Sequence, residues 1–206
     1  KTIKKVILYL FSTSFGEVFV IAGALFLGYP LPLLPAQIIW LNFVTDGFLD
    51  VALATEPKEE NLLSEKFKKS SKYLVDFLMA QRMLFMALPM MIGTLFIFKG
   101  LFHVDLIKAQ TMSLVVLAVF QWFNAWNCRS QDISIFKMNP FSNKFLVIAT
   151  AIVVVLQLLA VYNPFMQKIL HTTALSGYDW LLAVLVASSI VVVEEARKLI
   201  YRFYKK

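Results

Sequence analysis

The stretch Trp40–Leu53, WLNFVTDGFLDVAL, sets Asn42, Thr45, Asp46 and Asp50 in the middle of a run of bulky apolar residues. Such groups are costly there. An ionisable side chain at bilayer depth costs at least ~2.5–3.5 kcal/mol on insertion scales, and a dry core is no kinder. What the stretch means therefore depends on where the chain lives.

Composition answers that first. Of the 206 residues, 59% are hydrophobic and 15% aromatic, and the mean hydropathy is +0.71, well above the roughly 45–50% apolar content of soluble domains. The formal charge of +7 leaves no solvated basic face for nucleic acid in so apolar a chain, so it reads as basic flanks against a lipid bilayer. A single cysteine, Cys128, excludes an internal disulfide framework, and no His/Cys cluster has zinc-ligand spacing.

Six segments are long and apolar enough to span, at about 20 residues for roughly 30 Å of hydrocarbon. They are predicted at approximately 6–27, 36–54, 76–98, 109–128, 145–162 and 178–195. The expected fold is therefore all-α, a polytopic bundle of six transmembrane helices. With the N-terminus cytoplasmic, seventeen of the 20 Lys and Arg fall on that side, leaving Lys99, Lys108 and Lys168 outside. The positive-inside rule then puts both termini in the cytoplasm. The largest inner loop, EPKEENLLSEKFKKSSKYLVDF, is expected at the cytoplasmic surface, and the tail ARKLIYRFYKK on the anionic inner leaflet. Pro89 should kink the third span.

Two carboxylates, Glu17 and Asp46, sit near mid-span. Ser14 lies three residues before Glu17, and Asn42, Thr45 and Asp46 follow at i, i+3 and i+4, so each set is expected on one helix face. Carboxylate, amide and hydroxyl oxygens form the hard-ligand set that suits calcium, sodium or magnesium. The competing reading is interhelical hydrogen bonding, worth only about 0.6 kcal/mol per contact in membranes, which is too weak to offset two buried carboxylates. Gly16 and Gly47, beside the two acids, permit either local unwinding or close helix approach.

At this point the residues carry a resemblance. LPLLPAQIIWLNFVTDGFLDVALATEP, residues 31–57, resembles the sixth membrane helix of calcium-type P-type ATPases, in its Pro35, Gln37, Trp40, Asn42, Thr45, Asp46 and Gly47 and the closing Glu56–Pro57 pair. ILYLFSTSFGEVFVI is similar to that family's fifth helix, and TMSLVVLAVFQWFNAWNCRS to its eighth, through the Thr-Met start and Asn124 and Asn127. The resemblance covers the whole chain, 1–206, as the C-terminal transmembrane domain. It implies cation-ligand positions at Ser14, Glu17, Asn42, Thr45, Asp46 and Gln121. Asp46 would bridge two sites, Asn42 would serve the one shared with an upstream helix, and the others would line the second.

Ser14 and Gln121 stand where the family's two-calcium pumps carry Asn and Glu, so one calcium per cycle, with Glu17 carrying countertransported protons, is as plausible as two. Asp50 stands where the family has an apolar or small residue. Its expected place is the water boundary, with a ligand or proton-route role as the alternatives.

The resemblance also implies what lies beyond these residues. The family's DKTGT phosphorylation motif, its nucleotide-binding and actuator domains and its first four helices have no counterpart here, so ATP and magnesium belong to missing cytoplasmic domains, and the chain is expected to be inactive alone. Its partners are the lipid bilayer and those upstream helices and domains. The expected function is the ion-translocating part of an ATP-driven cation pump exporting calcium, in a prokaryotic plasma membrane or an intracellular calcium-store membrane. The alternatives are a channel or secondary transporter half, or a pump for manganese, sodium or another cation. A secondary transporter should show inverted-repeat symmetry. None is visible between the two halves.

Overall fold

The computed structural model describes residues 2–56, 75 and 77–204. Most of the inner loop, residues 57–74 and 76, and its expected surface position fall outside them, as do Lys1, Lys205 and Lys206. Among the described residues there is no strand, and six helical segments are long and apolar enough to cross a membrane: Thr2–Phe26, Pro35–Ala54, Phe77–Leu101, Leu106–Cys128, Lys144–Tyr162 and Gly177–Ile200. Each lies within a few residues of its predicted position, because long apolar runs leave little choice of where a spanning helix begins.

The first span is α1 (Thr2–Phe26). The second is compound: α2 (Pro35–Trp40), a π-helical turn over Leu41–Asp46, and α3 (Gly47–Ala54). Then follow α4 (Phe77–Leu101), α5 (Leu106–Cys128) and α6 (Lys144–Tyr162), with a short α7 (Pro164–Leu170) leading to α8 (Gly177–Ala187) and α9 (Ser189–Tyr204), which together make the sixth span. Helix α4 runs unbroken through Pro89.

Helix α5 forms the centre: 78% of its spanning window is buried, against 33–44% for the other five spans. Its sequence allows this, since no charged residue follows Lys108 until Arg129. Two of its hydroxyls return to their own helix, Thr111 to the Ile107 carbonyl at 2.8 Å and Ser113 to that of Ala109 at 3.0 Å. Around it, α1 packs closely on α4. A Cβ at Gly16 would stand 3.1 Å from the Met90 Cβ, and one at Gly23 2.8 Å from Leu95 Cδ1. Gly16 therefore serves close helix approach, the small-residue packing common in membranes, and α1 is regular around it.

Ion pairs fix the alternation of the spans. On one face the end of the second span meets the end of α5 and the start of α6, where the Arg129 Nε donates to Glu56 Oε1 and Oε2 at 3.1 and 3.2 Å. Asn143 Nδ2 donates to the same carboxylate at 2.7 Å. There too Arg82, at the start of α4, pairs with Glu194 of α9, which also takes Arg197 at 2.8 Å. On the opposite face Lys108 Nζ lies 3.0 Å from Asp179.

Arg82 and Arg129, two of the basic residues counted on the cytoplasmic side, are buried at 2% exposure each. Within the tail, Lys198 is also buried and pairs with Glu195 at 3.1 Å, so α9 turns a charged side inward rather than lying wholly on a leaflet.

Candidate cation site

Asp46 closes the π-helical turn, and its carboxylate points at α1. The Tyr9 hydroxyl donates to Oδ1 at 2.8 Å, and Thr13 Oγ1 lies 3.0 Å from Oδ2. Tyr9, Thr13 and Glu17 recur every four residues along α1, so they share one face. One turn further on, Glu17 is held by two amides: Asn42 Nδ2 donates to Oε2 at 2.9 Å and Gln121 Nε2, from α5, to Oε1 at 2.8 Å. Glu17, Thr45, Asp46 and Gln121 are all at most 4% exposed. A side branch runs towards the ion-paired face, where Asn124 Nδ2 donates to Ser12 Oγ at 2.7 Å.

Of the sequence-predicted residues, Glu17, Asn42 and Gln121 touch directly, and Asp46 joins them through its α1 partners. Thr45 is buried beside Asp46. Ser14 is half-buried and stands outside this hydrogen-bonded set, where Thr13 takes its place. Across the π turn, which bonds i to i+5 and is wider than an α turn, Asn42 and Asp46 both meet α1, at Glu17 and at Tyr9 and Thr13, with Asn42 the more exposed and Thr45 and Asp46 buried. The unwinding expected near Gly47 is this turn, which ends at the residue before it.

Asp50 is half-buried, and its Oδ1 is inside the protein with no hydrogen-bond partner. Sequence reasoning missed Tyr9, Thr13, Ser12 and Asn124. The four-residue spacing from Tyr9 to Glu17 was the available signal.

The donor set is made of oxygen. Among the described residues no three His, Cys, Asp or Glu side chains gather at metal-ligating distance, so two carboxylates must be completed by amide, hydroxyl or backbone oxygens. Gln121 Oε1 is such an oxygen, buried without a hydrogen-bond partner. A buried acceptor left unpaired is costly unless something coordinates it.

Residues 30–200 match the family described as cation transporting ATPase, C-terminus. The chain belongs to that family. As a cation-transporting ATPase C-terminus it is similar to a calcium-transporting ATPase of Bacillus subtilis, 32% identical over 187 residues that cover 89% of this chain and 21% of the relative. Calcium-transporting ATPase 1 of Yarrowia lipolytica is 30% identical over 198 residues, covering 95% of this chain and 21% of the relative. Calcium-transporting ATPase type 2C member 1 of Mus musculus is 29% identical over 206 residues, covering 99% and 22%. The chain thus spans roughly a fifth of the length of these relatives. The family match takes in the π turn, α5 and α6.

Proposed function

We infer that this chain is the cation-binding and translocating domain, over residues 1–206, of an ATP-driven calcium pump that exports calcium from the cytoplasm. The observation that carries the reading is a contrast among buried carboxylates. Glu56 and Glu194 have guanidinium partners, whereas Glu17 and Asp46 are met only by hydroxyls and amides. Asp179, a third buried acid, is paired with Lys108; among the described residues Glu17 and Asp46 have no such cationic partner. Their unbalanced negative charge in a water-poor interior suits a cation held by oxygen ligands. The names of the similar proteins make calcium the candidate.

In this reading Asp46 is the central ligand, with Glu17, Asn42, Thr45 and Gln121 beside it. Upstream helices complete the site, and upstream cytoplasmic domains supply ATP hydrolysis with magnesium. Glu17 carries the countertransported proton when calcium leaves.

The test uses vesicles that hold the full-length protein containing this chain. The unaltered protein should take up calcium on addition of ATP with protons moving the other way, and Asp46→Asn should form no calcium-dependent phosphoenzyme. Normal phosphoenzyme in that variant overturns the site. Calcium uptake with no proton movement at any pH overturns the role of Glu17.

A further inference from the structure

The second span is tied to α6 and its continuation on both sides of the π turn. At the opposite face Gln37, fully buried, donates from Nε2 to the Leu170 carbonyl at 3.0 Å, where α7 ends, and accepts the Leu34 N–H at 3.1 Å. Trp40, the residue immediately before the turn, donates from Nε1 to Gln157 Oε1 on α6 at 3.0 Å. At the ion-paired face Asn143, which caps α6, donates to the Ala52 carbonyl at 3.1 Å and to Glu56. Between the last two ties lies a groove of about 590 Å³, walled by Phe43, Gly47 and Phe48 on one side and Ile148 and Ile152 on the other.

Gln157 is the telling residue. It is 1% exposed on the most apolar of the six spans, whose mean hydropathy is 2.7, and its Nε2 is buried with no partner. A leucine would fill that place without an orphaned donor. What the glutamine supplies is one acceptor for Trp40.

We propose that α6 is a brace for the cation-bearing span, with Gln157 and Asn143 as positioning residues that hold both flanks of the Leu41–Asp46 turn. Rearrangement of that span is thereby confined to the turn, and the groove leaves its aromatic side chains room to shift. The ties fix where Asp46 and Asn42 stand relative to Glu17 without touching the cation. The inference rests on the cation-site reading above.

The test compares variants of the full-length protein in lipid vesicles. Thr150→Val is the control, because Thr150 Oγ1 accepts from Trp126 Nε1 at 3.2 Å, a similar bond on the same helix that does not reach the second span. Gln157→Leu and Trp40→Phe should each raise the calcium concentration for half-maximal phosphoenzyme by roughly three- to tenfold, the equivalent of one hydrogen bond, with its maximal level unchanged. The double variant should be no worse than either single one. Gln157→Glu, which in that apolar setting takes up a proton and keeps a carbonyl acceptor, should recover part of the shift, and Thr150→Val should leave the value unmoved. Amide hydrogen exchange over Leu41–Asp46 should quicken in Gln157→Leu and not in Thr150→Val.

Equal shifts in Gln157→Leu and Thr150→Val, additive singles, or unchanged exchange in Gln157→Leu would overturn the brace. If the unaltered protein forms phosphoenzyme without calcium dependence, the functional reading fails instead, and the exchange comparison still judges the brace.

Discussion

Gln121→Glu probes the charge balance of the site directly. The amide Nε2 stands 2.8 Å from Glu17 Oε1, so the substitution replaces a donor with a second carboxylate oxygen at that separation. At an effective dielectric constant near 20, two unit charges about 3 Å apart repel by about 6 kcal/mol, and the lost charge-assisted hydrogen bond removes about 1.5–3 kcal/mol more. No marginally stable bundle carries that, so without a cation the pair must share a proton or move apart. A divalent cation between the two carboxylates turns the repulsion into attraction. Relaxation and proton sharing absorb most of the difference, leaving about 1–2 kcal/mol, or roughly five- to thirtyfold tighter binding where protons are scarce.

The advantage should shrink as the medium is acidified, because each calcium must then displace one proton more than in the unaltered site. The assay is equilibrium binding of radioactive calcium to the full-length protein, normalised to phosphoenzyme capacity, across a pH series. The expected ratio is one for the wild type and up to two for Gln121→Glu. A wild-type ratio of two, or weaker binding in the variant at every pH, refutes the reasoning that a second divalent ion needs this extra charge.

Two further outcomes follow from the contacts. Thr13→Val should weaken calcium activation of phosphoenzyme by about three- to eighteenfold, the range of membrane hydrogen bonds of about 0.6–1.7 kcal/mol, while Ser14→Ala should change it less than about twofold; the reverse order would return the ligand position to Ser14. Glu56→Gln should destabilise the protein by about 3–5 kcal/mol by stranding the Arg129 charge, and Glu56→Gln with Arg129→Met should recover much of it; unfolding by denaturing detergent, followed by tryptophan fluorescence, would show simple additivity if the pair were uncoupled.

The spans were legible because apolar length is a one-dimensional property. Residues 76–98 and 109–128 were expected, and Phe77–Leu101 and Leu106–Cys128 are present. The π turn was not legible. Spacing of Asn42, Thr45 and Asp46 was counted on an α-helical wheel, whereas the backbone over Leu41–Asp46 takes the wider π turn, which no residue pattern in the sequence marks. Gln121 entered through resemblance alone, since one glutamine among the polar residues of α5 carries no periodic signal.

Tyr9 and Thr13 were passed over for a related reason. An aromatic and a hydroxyl on an apolar helix look like lipid-facing or packing residues until a carboxylate from another helix is placed against them, and that placement is a fact about helix packing. The same limit applies to charge. Read along the chain, Glu17 and Glu194 are both acids in apolar surroundings, and Arg82 and Arg129 are loop cations near a membrane surface. Folding sorts them: the arginines reach Glu194 and Glu56 at the ion-paired face, about as far as a guanidinium on a helix end can extend, and none reaches Glu17 or Asp46. Because Arg stays charged in any protein environment, an arginine at Glu17 would have closed the site to a cation permanently. Amides and hydroxyls are neutral donors with oxygens of their own, so the groups that hold Glu17 and Asp46 in place are also groups that can turn an oxygen to a cation.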